Sequence, residues 1–154
     1  MILTVTLNTS IDKLYLLEKL TPYTVMRVLE TRNTAGGKGM NVSRVAAQLG
    51  EPVTAMGFVG GFVGQYFESL ITQLNIRKAF THVASETRSC INGWDLSTGR
   101  STEYLEPGAP VTAEDVARFF QDFQRELDAA DVVAISGSMP KGVPADCYAT
   151  LIGL

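Results

Sequence analysis

The segment from Ala35 to Val42 (AGGKGMNV) has the residue types best suited to binding an anion. Its glycines let the backbone approach a ligand closely, and a helix that begins there would offer unpaired N–H groups beside Lys38. Two familiar phosphate-binding patterns do not fit. A P-loop needs glycine where Arg32 stands and serine or threonine where Gly39 stands, and a dinucleotide fingerprint needs a small residue at Val42. A tight turn that opens a helix is the alternative interpretation.

Three other segments have polar side chains that could contact the same kind of ligand. Asp12 follows the first predicted strand, where α/β sheets bind ligands, and could accept hydrogen bonds from two sugar hydroxyls. A turn or a helix cap is its alternative role. Ser138 and the N–H of Gly137 follow a later strand and could reach a phosphate. Arg88 has the planar fork that suits phosphate, although a single surface arginine is more often only a solvated charge.

The histidine and the two cysteines do not have the spacing of a catalytic triad, a metal site or a disulfide scaffold. His82, the only histidine, lies between Thr81 and Val83 without an acidic residue at triad or metal-ligand spacing. We expect it to be structural or on the surface. Cys90 and Cys147 lack CxxC spacing and are too few for a disulfide scaffold, so zinc is not expected either.

The composition predicts one globular domain. The chain has 154 residues, of which 45% are hydrophobic and 19% charged, and its net charge is -3. Such a chain has no global attraction for nucleic acid or anionic lipid, so a few placed cations must hold any anionic ligand. The beginning, MILTVTLNTSID, does not resemble a signal peptide, and no apolar run approaches the length of a membrane span. We expect a cytoplasmic protein that binds neither nucleic acid nor membranes.

Strands and helices are predicted to alternate, as in an α/β fold with a largely parallel sheet. The predicted strands are Ile2–Leu7, Val53–Val59 and Val132–Ile135, and the last is apolar throughout, as in strands that are buried on both faces.

Three helices are predicted between these strands. The first, Met40–Leu49, has Gly50 where a C-terminal cap glycine would stand. Its apolar stripe comprises Val42, Val45, Ala46 and Leu49. The second stops at Asn75. The third begins with a capping box of Thr112 and Asp115. Its apolar stripe comprises Val116, Phe119, Phe120, Phe123 and Leu127.

Two stretches, Lys13–Thr34 and Arg88–Leu105, interrupt the alternation. They have β-branched and aromatic residues separated by turn signals, and they predict antiparallel hairpins set apart from the main sheet. A last helix begins near Pro144, and the chain then stops. The apolar side of that helix comprises Cys147, Tyr148, Leu151 and Ile152. We expect that a longer series of βα units is interrupted at this point.

Taken in order, these segments resemble the PfkB (ribokinase-like) family of sugar kinases. Residues 8–12 resemble its N-P-A-[IL]-D element, with Thr9-Ser10 in place of Pro-Ala, and residues 36–42 match its glycine motif closely. Arg88 followed by Asn92, with residues 103–108 (EYLEPG) and 132–140 (VVAISGSMP), resembles the phosphosugar branch. The resemblance covers the whole chain and about the N-terminal half of such an enzyme.

The resemblance implies a fold and a reaction. The fold is a Rossmann-like three-layer sandwich with a small β-sheet lid, here in segments 13–34 and 88–105, which often forms a homodimer contact. The reaction transfers the γ-phosphate of ATP, with Mg²⁺, to the C1 hydroxyl of a ketohexose phosphate. Tagatose 6-phosphate is the first expectation, because residues 1–8, 34–45 and 131–140 are most similar to kinases of that sugar. 1-Phosphofructokinase and 6-phosphofructokinase activities are the alternatives.

The resemblance also implies the substrate-binding residues. The residues expected to contact the sugar are Asp12, Gly36, Gly37 and Asn41. The residues expected to bind its 6-phosphate are Lys38, Arg88 and Ser138. Arg27, on the lid, is expected to reach a phosphate in a partner subunit.

Several elements of the family have no counterpart in these residues. They are the G-x-G-D element with the catalytic base and an anion hole, the N-x-x-E element associated with the metal, and the adenine pocket. Phosphoryl transfer loses most of its acceleration without a base and charge stabilisation, so we expect this chain alone to be inactive. A non-catalytic sugar-phosphate-binding module is the alternative from another class. A nucleotide site in the glycine segment is a third interpretation, which the failed P-loop spacing disfavours.

Overall fold

The computed structural model describes all 154 residues, which form nine strands and four helices in two unequal parts. The strands are β1 (Ile2–Thr6), β2 (Ser10–Leu17), β3 (Glu30–Gly36), β4 (Val53–Gly60), β5 (Ile76–Lys78), β6 (Thr81–Val83), β7 (Arg88–Asp95), β8 (Arg100–Leu105) and β9 (Val132–Ile135). The helices are α1 (Lys38–Gln48), α2 (Gly61–Ile71), α3 (Ala113–Leu127) and α4 (Cys147–Ile152). None of the helices is both long and apolar enough to span a membrane.

The larger part is a parallel sheet between two layers of helices. Its strands lie in the order β5-β4-β1-β9, and β6 also pairs in parallel with the end of β4. Leu3 and Val5 of β1 face α3 and α4, whereas Val53 and Ala55 of β4 face α1 and α2. Because side chains alternate along a strand, one sheet supplies both cores. The predicted three-layer sandwich is therefore confirmed.

The smaller part is a four-stranded sheet in the order β3-β2-β7-β8, called the lid below. Its outer pairs are antiparallel, as predicted, but β2 and β7 pair in parallel and join the two hairpins into one sheet. The first hairpin is also longer than predicted, because its pairing begins at Ser10 and ends at Gly36.

Helix α3 follows its sequence closely. Thr112 and Asp115 form the predicted capping box, with Asp115 N–H donating to Thr112 Oγ1 at 3.1 Å and Thr112 N–H donating to an Asp115 oxygen at 2.9 Å. Phe119 and Phe123 are fully buried, and the Phe119 ring lies 5.2 Å from that of Phe58 on β4. The cap and the apolar stripe together hold α3 on the sheet.

Of the apolar stripe predicted for α1, only Ala46 is buried, and the rest of the stripe is wrong. The helix and its Gly50 cap, with φ at 90°, are confirmed, but Val45 and Leu49 are 56% and 77% exposed. The buried residues of α1 are Gly39, Met40, Ser43 and Ala46. Three of these four residues are small, because the helix axis lies close to the sheet. A Cβ on Gly39 would stand 2.5 Å from the carbonyl oxygen of Val5.

Three other predictions need smaller corrections. Helix α2 ends at Ile71, and Asn75 lies beyond it in a left-handed conformation with φ at 52°. Strand β9 is not buried on both faces, because it is the edge of the main sheet, and Val132 is 57% exposed. On α4, Cys147 and Leu151 are buried as predicted, but Ile152 is exposed.

Candidate functional site

A cleft of about 620 Å³ separates the lid from the carboxyl ends of β1 and β9. Only four of its 19 lining residues are hydrophobic, so the cleft suits a polar ligand. Six of the predicted site residues line it: Asp12, Gly37, Lys38, Asn41, Arg88 and Ser138. The fold therefore brings residues that are far apart in the sequence to one place.

Asp12 lies on β2 at the floor of the lid. Ser10 Oγ donates to Asp12 Oδ1 at 2.7 Å and fixes the orientation of the carboxylate. Gly36 lies beside it on β3, and a Cβ there would stand 2.2 Å from Asp12 Cγ. Gly36 therefore makes room for the carboxylate, rather than lining the cleft itself, and Asp12 keeps a second oxygen for a ligand.

The N-terminus of α1 opens onto the cleft beside Lys38. Gly37, the residue before the helix, has φ at 111°, which favours glycine, and no side chain caps the first turn. Lys38 is exposed and makes no ion pair. Free N–H groups, the positive end of the helix dipole and an unpaired ammonium group together favour an anion.

Asn41 lies one turn into α1 with its amide held in place. Arg44 donates from Nη2 to Asn41 Oδ1 and from Nη1 to the carbonyl oxygen of Ala35 at 2.8 Å. The arginine therefore joins the helix to the end of β3. The Asn41 amide nitrogen remains free to donate.

Arg88 has a larger structural role than its sequence position suggests. Nη1 donates to the carbonyl oxygen of Glu106 at 2.8 Å, and Nη2 donates to that of Asn8 at 3.1 Å. The guanidinium thus connects two loops that border the cleft. Nε is buried without a partner, and each Nη retains one further hydrogen, so part of the fork remains for a phosphate.

Ser138 stands at the opposite wall, in the loop after β9. Asn8 Nδ2 donates to Ser138 Oγ at 3.2 Å and to the carbonyl oxygen of Pro107 at 3.3 Å. The preceding Gly137 has φ at 109°, and its carbonyl oxygen accepts a hydrogen bond from Tyr148 of α4 at 3.0 Å. These bonds hold the loop against the cleft.

Arg27 and His82 both lie outside the cleft. Arg27 lies in the segment 21–30, in which every residue is exposed, and it does not line the cleft. His82 is a surface residue, as predicted, with its Nε2 2.9 Å from Glu68 Oε2. No group of three His, Cys, Asp or Glu side chains could hold a metal ion.

Sequence reasoning missed the lid residues that line the cleft. They are Thr34 and Arg32 on β3, Asn92 on β7 and Glu103 on β8, and Thr6 was missed at the end of β1. The alternation of side chains along a strand could have indicated Asn92. Arg88, Cys90 and Asn92 are spaced two residues apart, so they lie on the same face of β7.

The charges around the cleft favour an anion. Four basic residues line it (Lys13, Arg32, Lys38 and Arg88), against the two acidic residues Asp12 and Glu103, although the whole chain has a net charge of -3. Arg32 is partly neutralised by Glu30, to which its Nε donates at 2.5 Å. This bond lowers the pKa of the Glu30 carboxyl. The positive charge without an ion pair therefore lies on Lys13, Lys38 and Arg88.

The parallel sandwich with its separate lid sheet also has counterparts among known proteins. Residues 5–154 match the family described as pfkB family carbohydrate kinase. The chain therefore belongs to the PfkB family.

Solved structures of related proteins agree with this assignment. A possible 1-phosphofructokinase from Thermotoga maritima is 35% identical with a TM-score of 0.94, and the match covers 99% of this chain and 49% of that one. Phosphofructokinase-2 from Escherichia coli in complex with fructose-6-phosphate is 28% identical with a TM-score of 0.88, over 99% and 50% of the chains. A ribokinase from Thermotoga maritima, 20% identical over 86% and 43% with a TM-score of 0.67, shares the fold. The chain spans about half the length of these structures.

Proposed function

We propose that this chain is the substrate-binding part of a kinase that phosphorylates a ketohexose phosphate. The observation that carries the proposal is the convergence of Asp12, Asn41, Lys38 and Arg88 on one polar cleft. The carboxylate and the amide suit sugar hydroxyls, whereas the two cations and the N-terminus of α1 suit a phosphate. A phosphorylated sugar requires both kinds of group in one cleft.

ATP and Mg²⁺ are the proposed co-substrate and metal of the complete enzyme. The residues of this chain do not offer a carboxylate cluster for a metal, and the cleft has no candidate for a catalytic base that matches a G-x-G-D element. We therefore assign no step of phosphoryl transfer to these residues. Their proposed task is to bind and orient the sugar phosphate.

The sequence motifs and the similar structures favour different sugars, and an assay of several substrates distinguishes them. The sequence motifs favour tagatose 6-phosphate, whereas the similar solved structures are named as phosphofructokinases, which favours a fructose phosphate. The complete enzyme should be assayed with tagatose 6-phosphate, fructose 6-phosphate and fructose 1-phosphate. A kcat/KM on fructose 1-phosphate equal to that on tagatose 6-phosphate would exclude specificity for tagatose 6-phosphate.

We also propose that the enzyme is a cytoplasmic homodimer joined through the lid. The side chains of Leu29 and Tyr104 are each more than 60% exposed on the lid strands or beside them. Large apolar side chains left in solvent on the lid favour a partner surface there. In such a dimer, the exposed Arg27 would be able to reach the partner's cleft.

Binding to this chain tests the proposal directly. Trp94, the only tryptophan, lies on β7 and is 37% exposed, so its fluorescence can report a ligand beneath the lid. We expect the three sugar phosphates to change this fluorescence, and Lys38→Ala to weaken binding about tenfold. Lys141→Ala, an exposed lysine outside the cleft, is the matched control. Equal affinity in both variants would contradict the phosphate assignment.

The non-catalytic module makes a different prediction. It requires micromolar affinity for a sugar phosphate in this chain, with no ATP hydrolysis in any longer form of the protein. ATP hydrolysis coupled to sugar phosphorylation by the complete enzyme would exclude it.

A further inference from the structure

Buried polar atoms without partners are concentrated at the cleft. Four side-chain atoms are buried and lack a hydrogen-bond partner: Thr6 Oγ1, Asn33 Oδ1, Arg88 Nε and Asn92 Oδ1. All of them except Asn33 belong to residues that line the cleft. Because an unpaired buried polar group is destabilising, native proteins keep few of them, and a cluster at a cleft indicates a ligand that completes the bonds.

The chemistry of each atom constrains the ligand. Arg88 Nε can only donate, so it requires an acceptor such as a phosphate oxygen, whereas Asn92 Oδ1 can only accept, so it requires a hydroxyl or amine donor. The two residues stand four positions apart on one face of β7, or about 13 Å between their Cα atoms. A ligand that satisfies both must have an anionic end and a hydroxyl at some distance from it.

We infer that Asn92 is a specificity-determining residue, whose amide oxygen accepts a hydrogen bond from a sugar hydroxyl remote from the phosphate. This inference rests on the proposed function, because it requires the phosphate to lie near Lys38 and Arg88. Asn92 pairs with Leu14 on one side and Glu103 on the other, and both of these also line the cleft. The lid therefore contributes a second contact to the sugar. This contact lies two residues further along the strands than Asp12, which pairs with Cys90.

Asn92 has a matched control in the same sheet. Asn33 on β3 also has a buried amide oxygen without a partner, but its register partner is Lys13, whereas Asp12 pairs with Thr34 and Cys90. Asn33 therefore points to the opposite face of the lid from Asp12 and Asn92, where its amide nitrogen donates to Tyr66. It does not line the cleft.

The experiment compares Asn92→Leu with Asn33→Leu in this chain. Leucine has a similar volume and no polar atom, so removing an unsatisfied acceptor in Asn92→Leu should leave the melting temperature unchanged or raise it slightly. Asn33→Leu also removes the exposed bond to Tyr66 and should lower it slightly. Affinity for fructose 6-phosphate or tagatose 6-phosphate, followed through Trp94, should fall about tenfold in Asn92→Leu and less than twofold in Asn33→Leu. Inorganic phosphate, measured by its displacement of the sugar phosphate, should bind both variants as it binds the original chain.

Three results would overturn the inference. Unchanged sugar-phosphate affinity in Asn92→Leu would remove the contact but leave the proposed function intact. Equal losses of affinity for sugar phosphate and inorganic phosphate, with a lower melting temperature, would make Asn92 a structural residue. No binding of any sugar phosphate to the original chain would overturn the proposed function for these residues together with the inference.

Discussion

Helices α1 and α3 cover opposite faces of the same sheet, but they are held there in different ways. Helix α3 has a complete capping box and buries Phe119 and Phe123. Helix α1 begins without a side-chain cap, buries Met40 and three small residues, and leaves Val45 and Leu49 exposed. The sequence of α3 serves stability, whereas that of α1 leaves a helix N-terminus free for a ligand. Substitutions in the two helices should therefore separate folding from binding.

The largest expected effect is on the stability of α3. Phe119→Ala should lower the free energy of unfolding by about 3–5 kcal/mol, because it leaves a cavity beside Phe58 and Phe123. Thermal or urea unfolding followed by circular dichroism measures this. Phe62→Ala is the control, since that ring on α2 is 83% exposed and should cost little. Similar losses in both variants would show that the burial of Phe119 does not stabilise the fold.

Substitution of Arg88 should affect both ligand binding and stability. Arg88→Ala should weaken sugar-phosphate binding about ten- to a hundredfold, since a charge-assisted bond contributes about 1.5–3 kcal/mol. It should also lower the melting temperature, because the carbonyl oxygens of Asn8 and Glu106 lose their donors. Arg88→Lys should retain more affinity but lose the fork. An alanine variant with unchanged affinity, or unchanged KM in the complete enzyme, would leave Arg88 as a structural residue only.

The capping box of α3 should make stability depend on acid. Burial raises the pKa of Asp115, but its bonds to Thr112 and the charge of Arg118 outweigh this and hold it below the ordinary value of 3.8. The stabilisation is therefore complete above that value and is lost as the pH falls through the lower folded pKa. Thr112→Ala should cost about 1 kcal/mol near neutral pH and weaken this acid dependence. Parallel pH profiles of unfolding in both proteins would contradict the prediction.

The smallest effect on stability should come from the exposed stripe of α1. Val45→Thr and Leu49→Ser should change the free energy of unfolding by less than about 0.5 kcal/mol, because both side chains are largely in solvent. The isolated chain should nevertheless bind a hydrophobic dye, since this stripe, Val132 and Ile152 are uncovered apolar groups. The two substitutions should reduce the dye signal. A monodisperse chain that binds no dye would favour the independent module.

The sequence predicted what local rules determine and missed what depends on distant contacts. The cap and stripe of α3 follow from residues within one helix, so both were confirmed. The stripe of α1 was wrong except at Ala46, because close packing on β1 selects small residues such as Gly39 and Ser43 for the buried side, which hydrophobicity alone cannot indicate. The bonds from Arg88 to Asn8 and Glu106 depend on loops that meet only in the folded chain.

In the lid, too, local structure was predicted from the sequence but the pairing of distant segments was not. Its hairpins were predicted, because turn signals and β-branched residues are local. The parallel pairing of β2 with β7, which creates the floor of the cleft, joins segments that no local pattern relates. Asn92 was noticed in a motif, but its place in the cleft follows only from that register.

The same pairing determines when the cleft can form during folding. Residue 10 pairs with residue 88, and the central strand β1 stays unpaired on one side until residues 132–135 are available. Contacts so distant in sequence form slowly, because the intervening chain must first be closed into a loop. During synthesis on a ribosome, β2 and β3 would emerge early as an isolated hairpin, which is marginally stable in water. The cleft is therefore among the last features to be completed. Until β7 pairs with β2, the edge of β2 is exposed to other chains.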